Sequence, residues 1–255
     1  EMKYDWACGL DADDIARPER LAVTKAAIQE KPHVVAWGGH ARYFNNGGKT
    51  LFISELGPTT EKAYAELRQQ SQLVILTHSA MTFRRDIALE IGGYNTVLYT
   101  CADVDLCDRL CDRGLVLTIP QVMVDYRIHE ESTTSTKPII TDYQLRFIWE
   151  RRAAQDRGET LTWSDYQMAQ GLLPPTRYFQ QWVSDRSQLY WRWAGVAWGK
   201  RDYARMAKLL LMSTVMNPSL ITRKLSRQIM LRVNGRLWRV GTEAEGLPKP
   251  SALKT

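Results

Sequence analysis

Three carboxylates stand within four consecutive positions near the start of the sequence, at Asp11, Asp13 and Asp14. They follow Tyr4 to Leu10, a segment whose apolar residues predict a buried strand. Carboxylates this close repel one another, and a divalent cation can neutralise them at the end of a strand. If the extended geometry continues, Asp11 and Asp13 point the same way and can both reach one ion. An exposed acidic turn that caps the next helix is an equally good interpretation of these residues alone.

A second candidate carboxylate, Asp103, lies where a helix predicted over Asp103 to Arg113 begins. The Gly92-Gly93 pair ends the preceding predicted helix, so Asp103 follows a loop. The helix dipole favours a carboxylate in the first turn, and such a group can act as general base toward a hydroxyl. Asp105 belongs to the same acidic run. For Asp103 taken alone, a simple N-cap is the better interpretation.

Arg127 and His129 follow the last strand predicted in this part of the chain, Val116 to Tyr126. A lone histidine is more often a structural hydrogen-bonding residue than a ligand. The position of His129, after a strand and before a Ser/Thr-rich loop, therefore makes it a candidate only in combination with the carboxylates.

Strand-like and helix-like patterns alternate through the first 136 residues. The predicted helices cover residues 18–31, 59–72, 86–91 and 103–113, and the predicted extended segments cover 4–10, 34–44, 49–55, 79–84 and 116–126. The turn Asn45-Asn46-Gly47-Gly48 predicts a hairpin between the second and third extended segments. The alternation predicts an α/β fold.

Helical periodicity takes over after about residue 140. The predicted helices cover 143–155, 164–172, 178–198, 203–216 and 219–240. The segment Trp191 to Pro218 resembles a single helical hairpin of the tetratricopeptide kind, which must pack on the rest of the chain or on a partner. We therefore predict an α/β half-domain over 1–138, a helical region over 139–240 and a flexible tail over 241–255.

The order and spacing of the motifs resemble the second half of family 2 glycosyltransferases, which have the GT-A fold. The resemblance covers about residues 4–136. Its motifs are Leu10-Asp11-Ala12-Asp13-Asp14, Pro18-Glu19-Arg20-Leu21, the run from His78 to Arg85, Gly92-Gly93-Tyr94, the run from Ala102 to Leu106, and Tyr126-Arg127-Ile128-His129. Each motif alone is weak evidence for the family, but the whole set in this order is specific to it.

The resemblance implies an activated nucleotide-sugar donor, a divalent cation (Mg²⁺ or Mn²⁺) and inversion at the anomeric carbon. The implied reaction is a metal-dependent hexosyl transfer to a hydroxyl of a saccharide, a lipid or a cell-surface polymer. Asp11 and Asp13 match the family's DXD motif, which binds the metal and the donor diphosphate, and Asp14 is adjacent to it.

Asp103 matches the catalytic base of the family. In this sequence Ala102 replaces the Glu that usually precedes that base. Asp105 and Arg127 fall in the region implied to contact the acceptor or the diphosphate. His129 matches a position that reaches the metal or the diphosphate in some members, and it is the third implied metal ligand with Asp11 and Asp13.

The first half of the family's domain, which binds the nucleotide base, has no counterpart before Tyr4. We therefore expect an incomplete GT-A half-domain with a mixed sheet, one sheet edge left unpaired, and little or no activity of the chain alone. A longer parent chain is expected to supply the missing half. The other interpretation is a non-catalytic helical scaffold, a degenerate transferase remnant that acts in protein or membrane association.

The basic residues are concentrated at the C-terminal end, where residues 200–255 hold 12 Lys or Arg against 3 Asp or Glu. An anionic partner is expected there. A helix over 219–240 either contacts an anionic membrane peripherally or packs on the catalytic body, and the sequence favours neither. Nucleic acid is not expected, because no reader motif is present. No long apolar stretch occurs, and the four cysteines are expected to be reduced, so a cytoplasmic location is predicted, at the inner face of a membrane if the basic helix binds it.

Overall fold

A computed structural model describes residues 4–129, 136–199 and 201–233 of the chain. It has the α/β arrangement that the alternating patterns predict, with a mixed sheet followed by a helical C-terminal region. The predicted tail over 241–255 and the last turns of the helix predicted to reach residue 240 lie outside the described residues.

The sheet contains strands that run both parallel and antiparallel to one another. Its strands are β1 (Trp6–Cys8), β2 (Ile15–Ala16), β3 (Val34–Asn45), β4 (Thr50–Ser54), β5 (Thr82–Arg84) and β6 (Leu115–Ile128). Their order is β1-β5-β3-β6-β2, and β4 pairs with the far part of β3. The two long central strands, β3 and β6, are parallel, whereas the other pairs are antiparallel. Within the described residues, β1 and β2 are therefore the end strands.

The helices are taken in chain order. They are α1 (Arg20–Glu30), α2 (Glu61–Gln69), α3 (Arg85–Glu90), α4 (Ala102–Cys111), α5 (Pro138–Asp156), α6 (Trp163–Gly171), α7 (Pro175–Gly199), α8 (Tyr203–Met216) and α9 (Pro218–Val233). The helix predicted from residue 59 begins at Glu61, because the Thr60 hydroxyl accepts the Ala63 N–H as its N-cap. No helix of the described residues is long and apolar enough to cross a bilayer.

Successive residues of β3 enter core clusters on the two faces of the sheet. Val35 packs with Leu106 of α4, and Val34 packs with Ile28 of α1. Because both faces are covered, the strand has a continuous apolar run in its sequence rather than an alternating one. This arrangement holds α4 firmly against the sheet.

A network of buried charges joins α4 to α2 and α5. The Asp108 carboxylate is fully buried and accepts hydrogen bonds from Arg68 at 3.0 Å, Arg151 at 3.2 Å and Arg152 at 3.0 Å. A buried carboxylate is tolerated only when such partners compensate the loss of water. The helical region is thus tied to the α/β region through α5.

The extended segment predicted over 79–84 contains a strand only from Thr82 onward. The residues before it form a 3₁₀ turn, His78–Ala80, closed by hydrogen bonds from Ala80 N to Thr77 O and from Met81 N to His78 O, both 2.9 Å. This turn redirects two polar side chains, His78 and Ser79, toward the end of β1.

Candidate functional site

The acidic turn joins the two end strands of the sheet. It begins just after β1 and is closed by a hydrogen bond from Asp14 N to Asp11 O at 3.2 Å. β2 then pairs with β6, with Ile15 opposite Asp125. Because β6 continues past this pairing, its last residues lie beside the acidic turn.

Arg127 and His129 contact the acidic turn directly. The Arg127 N–H donates to Asp14 Oδ1 at 2.8 Å, and its side-chain Nε donates to the Asp13 carbonyl at 3.0 Å. His129 Nε2 lies 2.7 Å from Asp13 Oδ2. The Arg127 guanidinium also stacks over the Phe44 ring, 4.8 Å from its centroid, which orients the side chain.

A histidine in the 3₁₀ turn bridges the acidic turn and the loop before α4. His78 Nδ1 lies 2.9 Å from Asp11 Oδ1, and His78 Nε2 lies 2.9 Å from the Tyr94 hydroxyl. Because His78 Nδ1–H donates its hydrogen bond to the Asp11 carboxylate, Nε2 accepts from the Tyr94 hydroxyl when the ring is neutral and donates to it when the ring is protonated. Next to it, the buried Ser79 hydroxyl accepts the Asp11 N–H at 3.0 Å.

Gly9 makes this close approach possible. A Cβ placed on Gly9 would lie 2.6 Å from the carbonyl oxygen of His78 and 3.2 Å from its Nε2. The first distance is shorter than side chains tolerate, so only glycine fits at the end of β1 without movement of the turn.

The two partners in this bridge shift each other's proton affinity. The hydrogen bond from His78 lowers the pKa of Asp11, and the hydrogen bond to Asp11 raises the pKa of His78. Burial, with the charges of Asp103 and Asp11, raises the pKa of Tyr94 to about 12. The bridge therefore holds a carboxylate, an imidazole and a neutral phenol in series.

Asp103 lies in the first turn of α4 and belongs electrostatically to the same cluster. Burial raises its pKa, against the opposing charge of His78 and the N–H groups of the first helical turn. Asp103 in turn raises the pKa of His78, and its charge also acts on Tyr94 and Tyr126. A carboxyl with a raised pKa is suited to accept a proton near neutral pH.

Asp14 is the most enclosed carboxylate of the acidic turn. Burial raises its pKa, while hydrogen bonds from the Ser79 hydroxyl and the N–H of Arg127 oppose that effect. Its Oδ2 atom is buried and has no hydrogen-bond partner within the described part of the chain. Such an atom in a native site indicates a ligand, an ion or a water that completes it.

The structure thus brings most of the sequence-predicted residues together. Direct contacts join the acidic turn to the end of β6, and electrostatic interactions join it to the start of α4. The residues brought together are Asp11, Asp13, Asp14, Asp103, Arg127 and His129. Asp11 and Asp103 are far apart in the sequence, and their charges interact only because the fold brings the acidic turn to the start of α4.

Asp105 has a different place from the one the sequence indicated. It lies two residues after Asp103, a step of about 200° around a helix, and so faces the other way. Its carboxylate is fully buried and accepts from Arg109 Nε at 2.8 Å and Arg151 Nη1 at 2.5 Å. Asp105 therefore lies in the interface between α4 and α5 and not beside Asp103.

The sequence patterns did not single out the bridging residues His78, Ser79 and Tyr94. A signal existed, because His78 opens one of the motifs and Tyr94 closes the Gly92-Gly93-Tyr94 motif. Their roles depend on contacts between residues 67 and 16 positions apart, which no local pattern contains.

The arrangement of the side chains shows whether the acidic turn could bind a divalent cation. Across residues 4–129, 136–199 and 201–233, no three His, Cys, Asp or Glu side chains are arranged as a metal cage. Asp11 and Asp13 nevertheless remain partly exposed, each with about two-fifths of its side chain accessible, at 42%. Magnesium-type ions are commonly held by one or two carboxylates together with substrate phosphates and water. Asp11, Asp13 and His129, the three ligands implied by the sequence, therefore do not form a site by themselves, and a cation at the acidic turn would need phosphate or water oxygens as well.

Comparison with known proteins gives distant relatives. No family model matches the chain. It is 24% identical over 126 residues to an uncharacterized glycosyltransferase of Haemophilus influenzae, covering 49% of this chain and 45% of that protein. It is 35% identical over 85 residues to an uncharacterized protein of Mycobacterium tuberculosis, covering 33% of this chain and 24% of that protein. The chain thus spans less than half the length of either relative, and the first supports a relationship to glycosyltransferases.

Proposed function

We propose that this chain is the acceptor-side and metal-binding half of an inverting, metal-dependent glycosyltransferase of the family 2 type, with the GT-A fold. The donor would be a nucleotide sugar, and the acceptor a hydroxyl of a saccharide, a lipid or a cell-surface polymer. The observation that carries the proposal is the assembly of the acidic turn and Asp103 around His78. The glycosyltransferase name of a distant relative supports the same class.

In the proposed reaction Asp103 removes the proton from the acceptor hydroxyl as that oxygen attacks the anomeric carbon. Attack from the face opposite the leaving diphosphate inverts the configuration. The raised pKa of Asp103 makes it a stronger base than an exposed carboxylate, and its place in the first turn of α4 holds it still. The Tyr94 hydroxyl, held by His78, would face the acceptor in this reaction.

Asp11 and Asp13 would hold a divalent cation, with His129 beside Asp13. When bound, the cation would supply positive charge to the diphosphate leaving group. Arg127 holds the acidic turn in place through the Asp13 carbonyl and the Asp14 carboxylate. The orphaned Asp14 Oδ2 would accept a hydrogen bond from a water in the coordination shell.

The donor's nucleotide would be bound mainly by a longer parent chain. The relatives extend well beyond the matched segment, and β1 ends the sheet within the described residues. A strand supplied by the parent could pair with β1 and complete the site. We accordingly expect the 255-residue chain to turn over sugar nucleotides weakly or not at all.

The test is a transfer assay on the parent chain. A panel of labelled nucleotide sugars is supplied with Mn²⁺ and with saccharide or lipid acceptors, and the anomeric configuration of the product is read by NMR. Asp103→Asn should lower turnover by about 10²- to 10⁴-fold, as loss of a general base does. Asp86→Asn, an exposed carboxylate on α3, is the matched control and should leave turnover unchanged.

Undiminished turnover in the Asp103→Asn variant would refute the assignment of the base. A retained anomeric configuration would refute the direct displacement. If no sugar nucleotide is turned over and the parent keeps its cellular role after Asp103→Asn, the non-catalytic scaffold is the better description.

A further inference from the structure

Helix α8 packs against the later part of α7. The first two turns of α7 extend beyond α8. Ser187 of α7 meets Ser213 of α8, with Ser187 Oγ donating to Ser213 O at 2.9 Å and Ser213 Oγ donating to Ser187 O at 2.6 Å. From Ser187 back to Pro175, α7 continues for about 18 Å at 1.5 Å per residue. Past Ser213, α8 continues only to Met216, about 5 Å. The start of α7 therefore projects past the end of α8.

This projecting end carries large apolar side chains in water. Leu172 is 84% exposed, Tyr178 62%, Phe179 61%, Met168 59% and Trp182 41%. Phe179 and Trp182 are one turn apart and their rings stack, with centroids 6.0 Å apart. We call the segment from Met168 to Trp182 the α6–α7 corner. Single exposed apolar residues are ordinary, but five within fifteen positions, two of them with stacked rings, indicate an interaction surface.

Within the corner the one charged side chain is basic, and the flanking carboxylates are already engaged, Asp165 in the N-cap of α6 and Asp185 in an ion pair with Arg146. From Tyr166 to Ser184 the sequence has no Asp or Glu and one basic residue, the exposed Arg177. Arg186 follows one turn after Trp182, and its guanidinium lies 5.5 Å from the centroid of that ring. The surface is thus apolar and aromatic, and the basic side chains Arg177 and Arg186 adjoin it.

The basic helix α9 contacts α7 through Lys224. The Lys224 ammonium is 5.6 Å from the centroid of the Trp191 ring, so α9 brings positive charge to the side of α7. A second copy of this surface would set cation against cation, whereas an anionic surface would be complementary to it. Tyrosine and tryptophan prefer the headgroup level of a bilayer, and leucine, methionine and phenylalanine prefer the acyl boundary.

We propose that the α6–α7 corner is a peripheral docking site for an anionic lipid bilayer, with Phe179 and Leu172 entering the acyl boundary and Trp182 at headgroup level. This places the main membrane contact on α6 and α7 and not on the basic helix near the C-terminus. The proposal does not depend on the transferase function.

The experiment is flotation of the 255-residue chain with vesicles of equal parts phosphatidylcholine and phosphatidylglycerol, and with phosphatidylcholine alone. The chain should float with the mixed vesicles and bind the neutral ones more weakly. The double variant Phe179→Ser with Trp182→Ser should bind mixed vesicles on the order of tenfold or more weakly, because it loses two apolar anchors. Trp198→Ser, 59% exposed at the other end of α7, is the matched control and should bind as the wild type does.

Folding of each variant is checked by circular dichroism. The helix should persist, because both substituted side chains are exposed.

A vesicle that contains brominated lipid should quench the tryptophan fluorescence of the wild type more than that of Trp182→Phe at equal binding. Equal binding of the double variant and the control overturns the proposal, as does failure of the wild type to float. If binding is lost only in the variant Arg223→Gln with Lys224→Gln, the membrane contact lies on α9 instead. If the wild type is a dimer that Phe179→Ser with Trp182→Ser breaks, the corner binds a second copy of the chain.

Discussion

Substitution of Gly9 by alanine tests the geometry that brings His78 to the acidic turn. The new Cβ would lie 2.6 Å from the His78 carbonyl oxygen, 0.8 Å short of the 3.4 Å at which ordinary contact begins. A backbone oxygen cannot rotate out of the way, and this one also accepts the Met81 N–H at 2.9 Å. The turn or the end of β1 must therefore move. Overpacking of this kind costs about 1–3 kcal/mol of unfolding free energy.

The assay is urea unfolding followed by tryptophan fluorescence, with Gly195→Ala as control. Nothing lies within 4 Å of a Cβ on Gly195, which is inside α7. Alanine there should raise the unfolding free energy by about 0.5–1 kcal/mol, since it removes the entropic cost of a helical glycine. If Gly9→Ala is as stable as the wild type, β1 and the 3₁₀ turn are not as close as the structure shows, and the reasoning fails.

Three further predictions concern buried charges and the proposed base. Asp108→Asn should lower the unfolding free energy by about 3 kcal/mol or more, because three arginines lose their buried carboxylate. Asp125→Asn should destabilise the chain at neutral pH and progressively less in acid, since hydrogen bonds from Arg42 lower the pKa of Asp125. This contribution is present above the ordinary pKa of aspartate and is lost as pH falls through the lowered value. In the parent chain, kcat/KM should fall as the pH drops through the raised pKa of Asp103, because only the ionised carboxylate accepts a proton.

Each of these predictions has a control and a contrary result. For Asp108, the control is Glu159→Gln, an exposed partner of Arg157 that should have a negligible effect, and equal losses in both variants would count against a buried network. For Asp125, an effect that is constant from neutral to strongly acidic pH would show that packing and not charge is lost. For Asp103, an acid limb that persists in Asp103→Asn would assign the titration to another group.

The alternation of patterns was enough to predict the α/β region and the helices that follow it. It worked because the continuous apolar run of β3 is typical of a strand covered on both faces, and the apolar residues of α4 recur at helical spacing. The prediction was less accurate where local hydrogen bonds compete with the pattern. The segment over 79–84 resembles a strand in its sequence, yet the backbone from His78 to Ala80 closes on itself. Division of the chain at residues 138 and 240 stays a prediction.

The sequence by itself determined which residues could do chemistry, because carboxylates at the end of a strand and at the start of a helix have distinctive local patterns. Asp11, Asp13 and Asp103 were found in this way. Only the tertiary structure decided which of them lie close together. His78 joins the cluster through a contact across 67 positions, and Asp105 leaves it because Arg151, 46 positions later, pairs with it in the interface of two helices. Such choices depend on how β1, α4 and α5 pack, and packing is not contained in any short stretch of sequence.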